Sequence, residues 1–246
     1  MTLAYHGAGF CGWQRQPKDL SVQEVLEQAL ATILRQEIEI TGCGRTDAGV
    51  HARYYVAHFD GPDTLPPTLL YSINSLLPDG VSLYHVAPVH ATAHARYDAY
   101  ERSYEYHISW RKDPFSTETA WFFPQYARVD VQKMQDVAHL LLQYDSFFPF
   151  CKTHSGLDHF DCVLKKAQWV SDPEAHKWVF YISANRFLRG MVRLIVGACV
   201  QVGTGKISLA EVQRALDQQV PLHKSLSVPP TGLFLTDVKY PFDWEG

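Results

Sequence analysis

Apolar and polar positions switch between a period near two and a period near 3.6, and the switches mark the elements. Thr2-Leu3-Ala4-Tyr5 reads as a strand that ends in the turn residues around Gly7 and Gly9. A helix follows. Ser21-Val22-Gln23-Glu24 has the form of a capping box, Leu20 and Val25 are placed as a hydrophobic staple, and Val22, Val25, Leu26, Ala29, Leu30, Ile33 and Leu34 recur three and four apart. Glu37 to Thr41 alternates as a half-buried strand does and breaks at Gly42-Cys43-Gly44. Tyr54 to Phe59 is again strand-like, Pro66 and Pro67 open a short helix through Leu76-Leu77, and Val81 to Val86 is another strand. The order β-α-β-β-α-β is the split unit of ferredoxin-like folds.

The second half repeats the theme loosely. Strands are expected over Ser103–Ser109, Leu164–Val170, Trp178–Ala184 and Leu233–Tyr240, and helices over Val131–Leu142 and the nearly all-apolar Phe187–Val202. Ser208-Leu209-Ala210-Glu211 is a second capping box with Ile207 and Val212 as its staple. Helices and strands are interleaved but several strands follow one another directly, which predicts an α+β fold with a mixed, mainly antiparallel sheet. The Pro- and His-containing stretch Pro88–Ala95 is the expected boundary, dividing the chain into 1–92 and 93–246.

The 246 residues, 46% hydrophobic and 20% charged, are enough for a sizeable core and argue against disorder. A formal charge of −4 rules out a uniformly cationic nucleic-acid coat but leaves room for a local basic cleft. No apolar run has the length of a membrane span and no signal-peptide pattern opens the chain, so a cytoplasmic protein is expected. Cys11, Cys43, Cys151, Cys162 and Cys199 are widely spaced, without a C-x-x-C pair, and are expected to be reduced structural thiols. His90 and His94 have helical ligand spacing but no H-E-x-x-H accompanies them, so no metal is expected.

The most unusual segment is Gly44-Arg45-Thr46-Asp47-Ala48-Gly49-Val50-His51. A loop of small residues between two strands lets a partner approach the backbone and projects few side chains. Asp47 is either the cap of an ordinary turn or a nucleophile at the floor of a cleft. Arg193, mid-helix among Met191, Val192, Leu194 and Ile195, must bury at least its stem and calls for an acceptor. Asp47 with Arg193 is thus a coherent chemical unit, because a carboxylate that stays ionised in a water-poor cleft needs such a cation. Arg186, Arg189 and Arg193 are expected to form a basic stripe along one helix. Tyr104 and Tyr106 share a strand face, and Tyr104 offers a ring for stacking on a base. Gln14 and Arg15, in the aromatic turn Phe10–Gln16, suit contacts to phosphates and bases.

Taken together, the segments Leu3-Ala4-Tyr5, Phe10-Cys11-Gly12-Trp13-Gln14-Arg15-Gln16, Ser21-Val22-Gln23-Glu24, Gly44 to Ala52, His94-Ala95-Arg96, Arg102-Ser103-Tyr104-Glu105-Tyr106, Phe187 to Arg193 and Gly232-Leu233-Phe234-Leu235 resemble the tRNA pseudouridine synthase A family, in order and over nearly the whole chain. The resemblance implies the pseudouridine synthase fold, two ferredoxin-like halves around a central sheet. It implies isomerisation of uridine at positions 38, 39 and 40 of the tRNA anticodon stem-loop, by a homodimer that uses no metal and no organic cofactor. Asp47 then matches the catalytic aspartate, Tyr104 the tyrosine that stacks on the target uracil, and Arg193 the arginine paired with the aspartate. Arg45 is expected to help displace the target nucleotide, and Arg15, Gln14, Arg186 and Arg189 to contact RNA. His6 stands where the family usually has an aspartate. The competing expectation, from a different class, is a non-catalytic RNA-binding module that uses its sheet tyrosines for stacking.

Overall fold

The computed structural model describes residues 1–152, 159–222 and 226–242. The fold is mixed α+β and its strands are mainly antiparallel. The chain forms two compact units, Met1–Arg102 with the segment from Phe234 on, and Ser103–Leu233.

In the first unit the chain runs β1 (Thr2–Tyr5), α1 (Val22–Leu34), β2 (Ile40–Gly42), β3 (His51–Phe59), α2 (Leu69–Leu76) and β4 (Val81–His85). Strand order is β4-β1-β3, with β2 on the far edge of β3, which realises the expected split unit. β3 starts three residues before the expected Tyr54 because His51 and Ala52 pair in parallel with Phe234 and Leu235 of β9 (Leu233–Lys239). That pairing spans most of the chain. It also brings β9 into the first unit, whereas the expected division at 92/93 leaves that strand with the second half.

Helix α1 begins where the sequence predicts. The Ser21 hydroxyl accepts from the Glu24 N–H, while the Glu24 carboxylate takes the Gln28 amide rather than closing the box. Besides its apolar stripe, α1 buries Gln23 and Glu27. Both are satisfied: Gln23 Nε2 donates to Glu27 Oε1 and to Ile40 O, each at 2.9 Å, and Ile40 N–H donates to Glu27 Oε1 at 3.0 Å. A buried polar pair with every bond made fixes one register of helix against strand.

The second unit contains β5 (Glu101–Ser109, whose first two residues belong to the first unit), β6 (Trp121–Phe122), α3 (Val131–Leu141), β7 (Leu164–Asp172), β8 (Lys177–Ala184), α4 (Met191–Gly203) and α5 (Leu209–Gln218). Its strand order is β5-β8-β7, with the short β6 parallel to β5. Helix α3 packs on α4, α5 and β7. At α5 both halves of the expected capping box form, Ser208 with Glu211. Helix α4 corrects the sequence reading. Gly190 takes a left-handed φ of 70° as its N-cap, so the helix starts at Met191 rather than Phe187. Arg186 and Arg189 therefore lie in the turn before the helix, and only Arg193 of the expected stripe is helical.

All five cysteines are free. Burial pushes the thiols of Cys43 and Cys162 up to about 11 and that of Cys199 to about 12, which leaves them protonated and unreactive at neutral pH. Among the described residues, no helix is long and apolar enough to cross a membrane, and no group of three His, Cys, Asp or Glu could hold a metal ion. His90 and His94 do not lie on a helix. The His94 ring Nδ1 accepts from the Arg96 and Tyr97 N–H groups, and His58 Nδ1 accepts from Ala95 N–H.

Those bonds carry a pH dependence. Burial first, and the neighbouring His94 second, hold the His58 pKa below its ordinary 6.5, against the opposing pull of Asp60 and Asp98. The unfolded chain then takes a proton at a higher pH than the folded one. The contribution is complete above about 6.5 and is lost as pH falls through the unfolded and then the folded value. Melting temperature is expected to fall more steeply between pH 7.5 and 5.5 for the wild type than for His58→Asn, whose amide oxygen can accept from Ala95 without titrating. Parallel curves would contradict this.

Candidate functional site

The loop from Cys43 to Val50 joins β2 to β3, and side chains from several elements hold it. Gly42 approaches Trp13 so closely that a Cβ there would stand 2.5 Å from Trp13 Cε2. Trp13 stacks on Tyr55 with centroids 4.1 Å apart, and Tyr5 leans on both rings. Tyr55 OH donates to Gly44 O at 2.5 Å. The Arg102 guanidinium donates twice to Cys43 O, at 2.8 and 3.2 Å, and also to the carbonyls of Arg96 and Ala99. Arg102 in the resembling motif thus binds the backbone on the N-terminal side of Asp47, a role the sequence alone does not indicate.

Past Asp47, Val50 N–H donates to Asp47 O at 3.1 Å and Gly49 N–H to Phe10 O at 3.3 Å. Of the two bracketing glycines only Gly49 needs its freedom, with φ at 78°. Gly44 has no such φ, and a Cβ there would meet only Arg102 Nε, at an ordinary 3.8 Å. Val50 is buried, and its carbonyl lies where a Cβ on Gly7 would go. His51 is buried as well. Its Nδ1 accepts from Gly7 N–H at 3.0 Å, and its ring stacks on Phe234 and contacts His6. His6 therefore packs beside the residue that closes the loop. Asp47 is half-buried and Arg45 exposed on this frame.

Gln14 and Arg15 belong to the same unit but differ in availability. Gln14 Nε2 donates to Gln23 Oε1 at 3.0 Å, so its amide is engaged in the polar pair under α1. Arg15 uses its backbone N–H for the same oxygen, while its side chain is 62% exposed with Glu27 at 3.4 Å. Arg15 is the freer of the two to meet a phosphate.

In the second unit Tyr104 is half-buried on β5 and meets Phe187 edge to face, with centroids 5.1 Å apart and planes at 88°. Tyr106 is fully buried on the same strand face and donates to Pro229 O at 2.8 Å. Burial raises its pKa, with Arg193 pulling the other way, so its phenol stays neutral and fills a structural role. Glu105 and His107 lie on the opposite face as a pair at 2.9 Å. Arg193, half-buried on α4, donates from Nε to Val228 O at 2.7 Å, and Val228 N–H returns a bond to Arg193 O. That contact orients the guanidinium from its stem side. Arg186 is held through its N–H to Asn185 Oδ1, and its guanidinium reaches the His159 ring at 3.0 Å. Arg189 is exposed, with its carbonyl accepting from Lys152 N–H.

A family model described as tRNA pseudouridine synthase matches residues 1–98 and 145–241. Proteins named tRNA pseudouridine synthase A are similar over nearly the whole chain. That of Porphyromonas gingivalis is 42% identical over 244 residues, covering 98% of this chain and 96% of its own length. That of Bacteroides thetaiotaomicron is 42% identical over 98% of this chain and 90% of its own, and that of Methylacidiphilum infernorum is 37% identical over 100% and 96%. The fold and these likenesses define an RNA-modifying isomerase of the pseudouridine synthase class. The chain belongs to the tRNA pseudouridine synthase family.

Proposed function

We propose that the protein converts uridine to pseudouridine at positions 38, 39 and 40 of the tRNA anticodon stem-loop, with Asp47 as the nucleophile. The observation that carries this reading is a half-buried carboxylate on a loop of small residues whose backbone is tied on both sides, in a chain of this family. In the reaction the C1′–N1 bond breaks, the uracil turns, and a C1′–C5 bond forms. The C5 proton leaves and N1 ends protonated, so there is no net redox change. One carboxylate serves by attacking C1′ or C6, or by stabilising developing charge on the ribose. Hydrolysis ordinarily uses two carboxyl groups flanking the bond.

In this reading Tyr104 stacks on the uracil, Arg193 supplies the positive charge that keeps a desolvated carboxylate ionised, and Arg45 occupies the place of the displaced nucleotide. Extrusion of the target costs a few kcal/mol, which such replacement offsets. Arg15, Arg186, Arg189 and, less directly, Gln14 contact the RNA. The enzyme acts in the cytoplasm as a homodimer. Incubating the purified protein with a tRNA transcript carrying uridine at 38, 39 and 40, then mapping the products base by base, is expected to reveal pseudouridine at those sites. Each signal should vanish when its own uridine is replaced by cytidine. Pseudouridine only outside the anticodon stem-loop would overturn the assignment of position, and free uracil as the main product would overturn isomerisation.

A further inference from the structure

Next to Asp47 stands a side chain whose bonds all point inward. Thr46 Oγ1 accepts from the Trp13 N–H at 3.1 Å and is hydrogen-bonded to the Tyr5 hydroxyl at 2.9 Å. Tyr5 is 4% exposed and Trp13 2%. The Thr46 carbonyl lies closely against Gly12, whose φ of 100° disfavours a side chain, and a Cβ at that position would stand 3.2 Å from the Thr46 carbonyl carbon and 3.1 Å from that of Asp47. Thr46 is therefore hydrogen-bonded at its hydroxyl and closely packed at its peptide, and its β-branch leaves χ1 little freedom. The three fixed points come from β1 and from the loop before α1, neither of which is adjacent to Asp47 in sequence.

We propose that Thr46, locked by the Tyr5 hydroxyl and the Trp13 N–H, is a positioning residue that sets the direction in which Asp47 leaves the loop. This rests on the reading of Asp47 as nucleophile. Carbonyl clamps from Tyr55 and Arg102 hold the chain three and four residues before Asp47, and the Val50 N–H closes the turn three residues after it. Among the described contacts of the loop, those of Thr46 lie nearest to the peptide that directly precedes Asp47. A nucleophile must meet its C1′ or C6 target within a narrow distance and angle, and an error of about 1 Å costs roughly a hundredfold in rate. Substrate affinity is spread over many phosphate and stacking contacts and does not depend on that aim.

Thr46→Val keeps the branch and volume and removes the hydroxyl. Single-turnover conversion of tRNA is expected to slow by about 10- to 100-fold, with KM unchanged within about twofold, because aim and not affinity is lost. Thr46→Ser restores the hydroxyl and is expected to recover most of the rate. Tyr5→Phe, which removes one buried oxygen, is expected to slow the same step, and the double variant Tyr5→Phe/Thr46→Val to be no slower than Thr46→Val alone, since both act through one bond. A purely structural role would instead lower the melting temperature without a specific fall in kcat, and Ser would not rescue rate separately from stability. Wild-type kcat in Thr46→Val, or in Tyr5→Phe should the former not fold, would overturn the proposal while leaving the wild-type activity standing. Absence of pseudouridine with the wild type would instead overturn the functional reading beneath it.

Discussion

Asp47→Ala is expected to abolish pseudouridine formation, with a rate loss of at least about 10⁴-fold, the scale seen when an enzyme's nucleophile is removed. Binding of tRNA should persist. Tyr55, Arg102, Thr46 and Val50 hold the loop backbone through groups other than the Asp47 side chain. If Asp47 lies beside RNA phosphates as proposed, removing its carboxylate lowers repulsion, so affinity in a gel-shift titration is expected to stay equal or to tighten. Asp47→Asn separates charge from shape: its amide has nearly the same size but cannot attack carbon, and it should be as inactive as alanine. Turnover by Asp47→Ala within about tenfold of wild type would remove Asp47 from the chemistry. Lost binding alongside lost turnover would assign it instead to RNA recognition, as a non-catalytic module requires.

The loop that bears Asp47 was legible in the sequence because its signals are local: two glycines, small neighbours and flanking strand patterns. What holds the loop was not legible. Tyr5, Trp13 and Arg102 lie in segments that carry the resemblance and Tyr55 in a strand pattern, but nothing local says that they hold this loop; the pairing of β1 with β3 and the return of the chain at Arg102 direct them at the same peptides. The same limit explains the early start of β3 and the placement of β9, since the pairing of His51 with Phe234 depends on residues far apart in sequence. Helices fared well where caps and stripes were local, as at Ser21 and Ser208. Helix α4 was read one turn too long at its N-terminus because a largely apolar run concealed the start after Gly190, and the basic stripe was lost with that turn. The Gln23–Glu27 pair is a further case. Helical periodicity assigns polar positions to solvent, and only the nearby Ile40 backbone shows why these two are buried.

Gly197→Ala tests the structural support of Arg193 and sets two effects against each other. Gly197 lies inside α4, where alanine is favoured over glycine by about 1 kcal/mol. Propensity alone therefore predicts a more stable protein. The surroundings predict the reverse. A Cβ at Gly197 would overlap the Leu226 carbonyl oxygen and stand 2.7 Å from its carbon, and these are backbone atoms that no rotamer change can move. Overpacking of this kind typically costs about 1–3 kcal/mol, occasionally more, and here it exceeds the gain in propensity. The net expectation is a loss of about 1–2 kcal/mol, a fall of a few degrees in melting temperature for a domain of this size. The displaced segment includes Val228, whose carbonyl receives Arg193 Nε and whose N–H bonds Arg193 O. Displacement of that segment from α4 releases the arginine from its orientation, so turnover should fall by more than the lost stability explains when variant and wild type are assayed well below their melting temperatures. A melting temperature equal to or above wild type would show that the segment around Leu226 yields freely, and would remove the close contact as the reason for glycine at position 197.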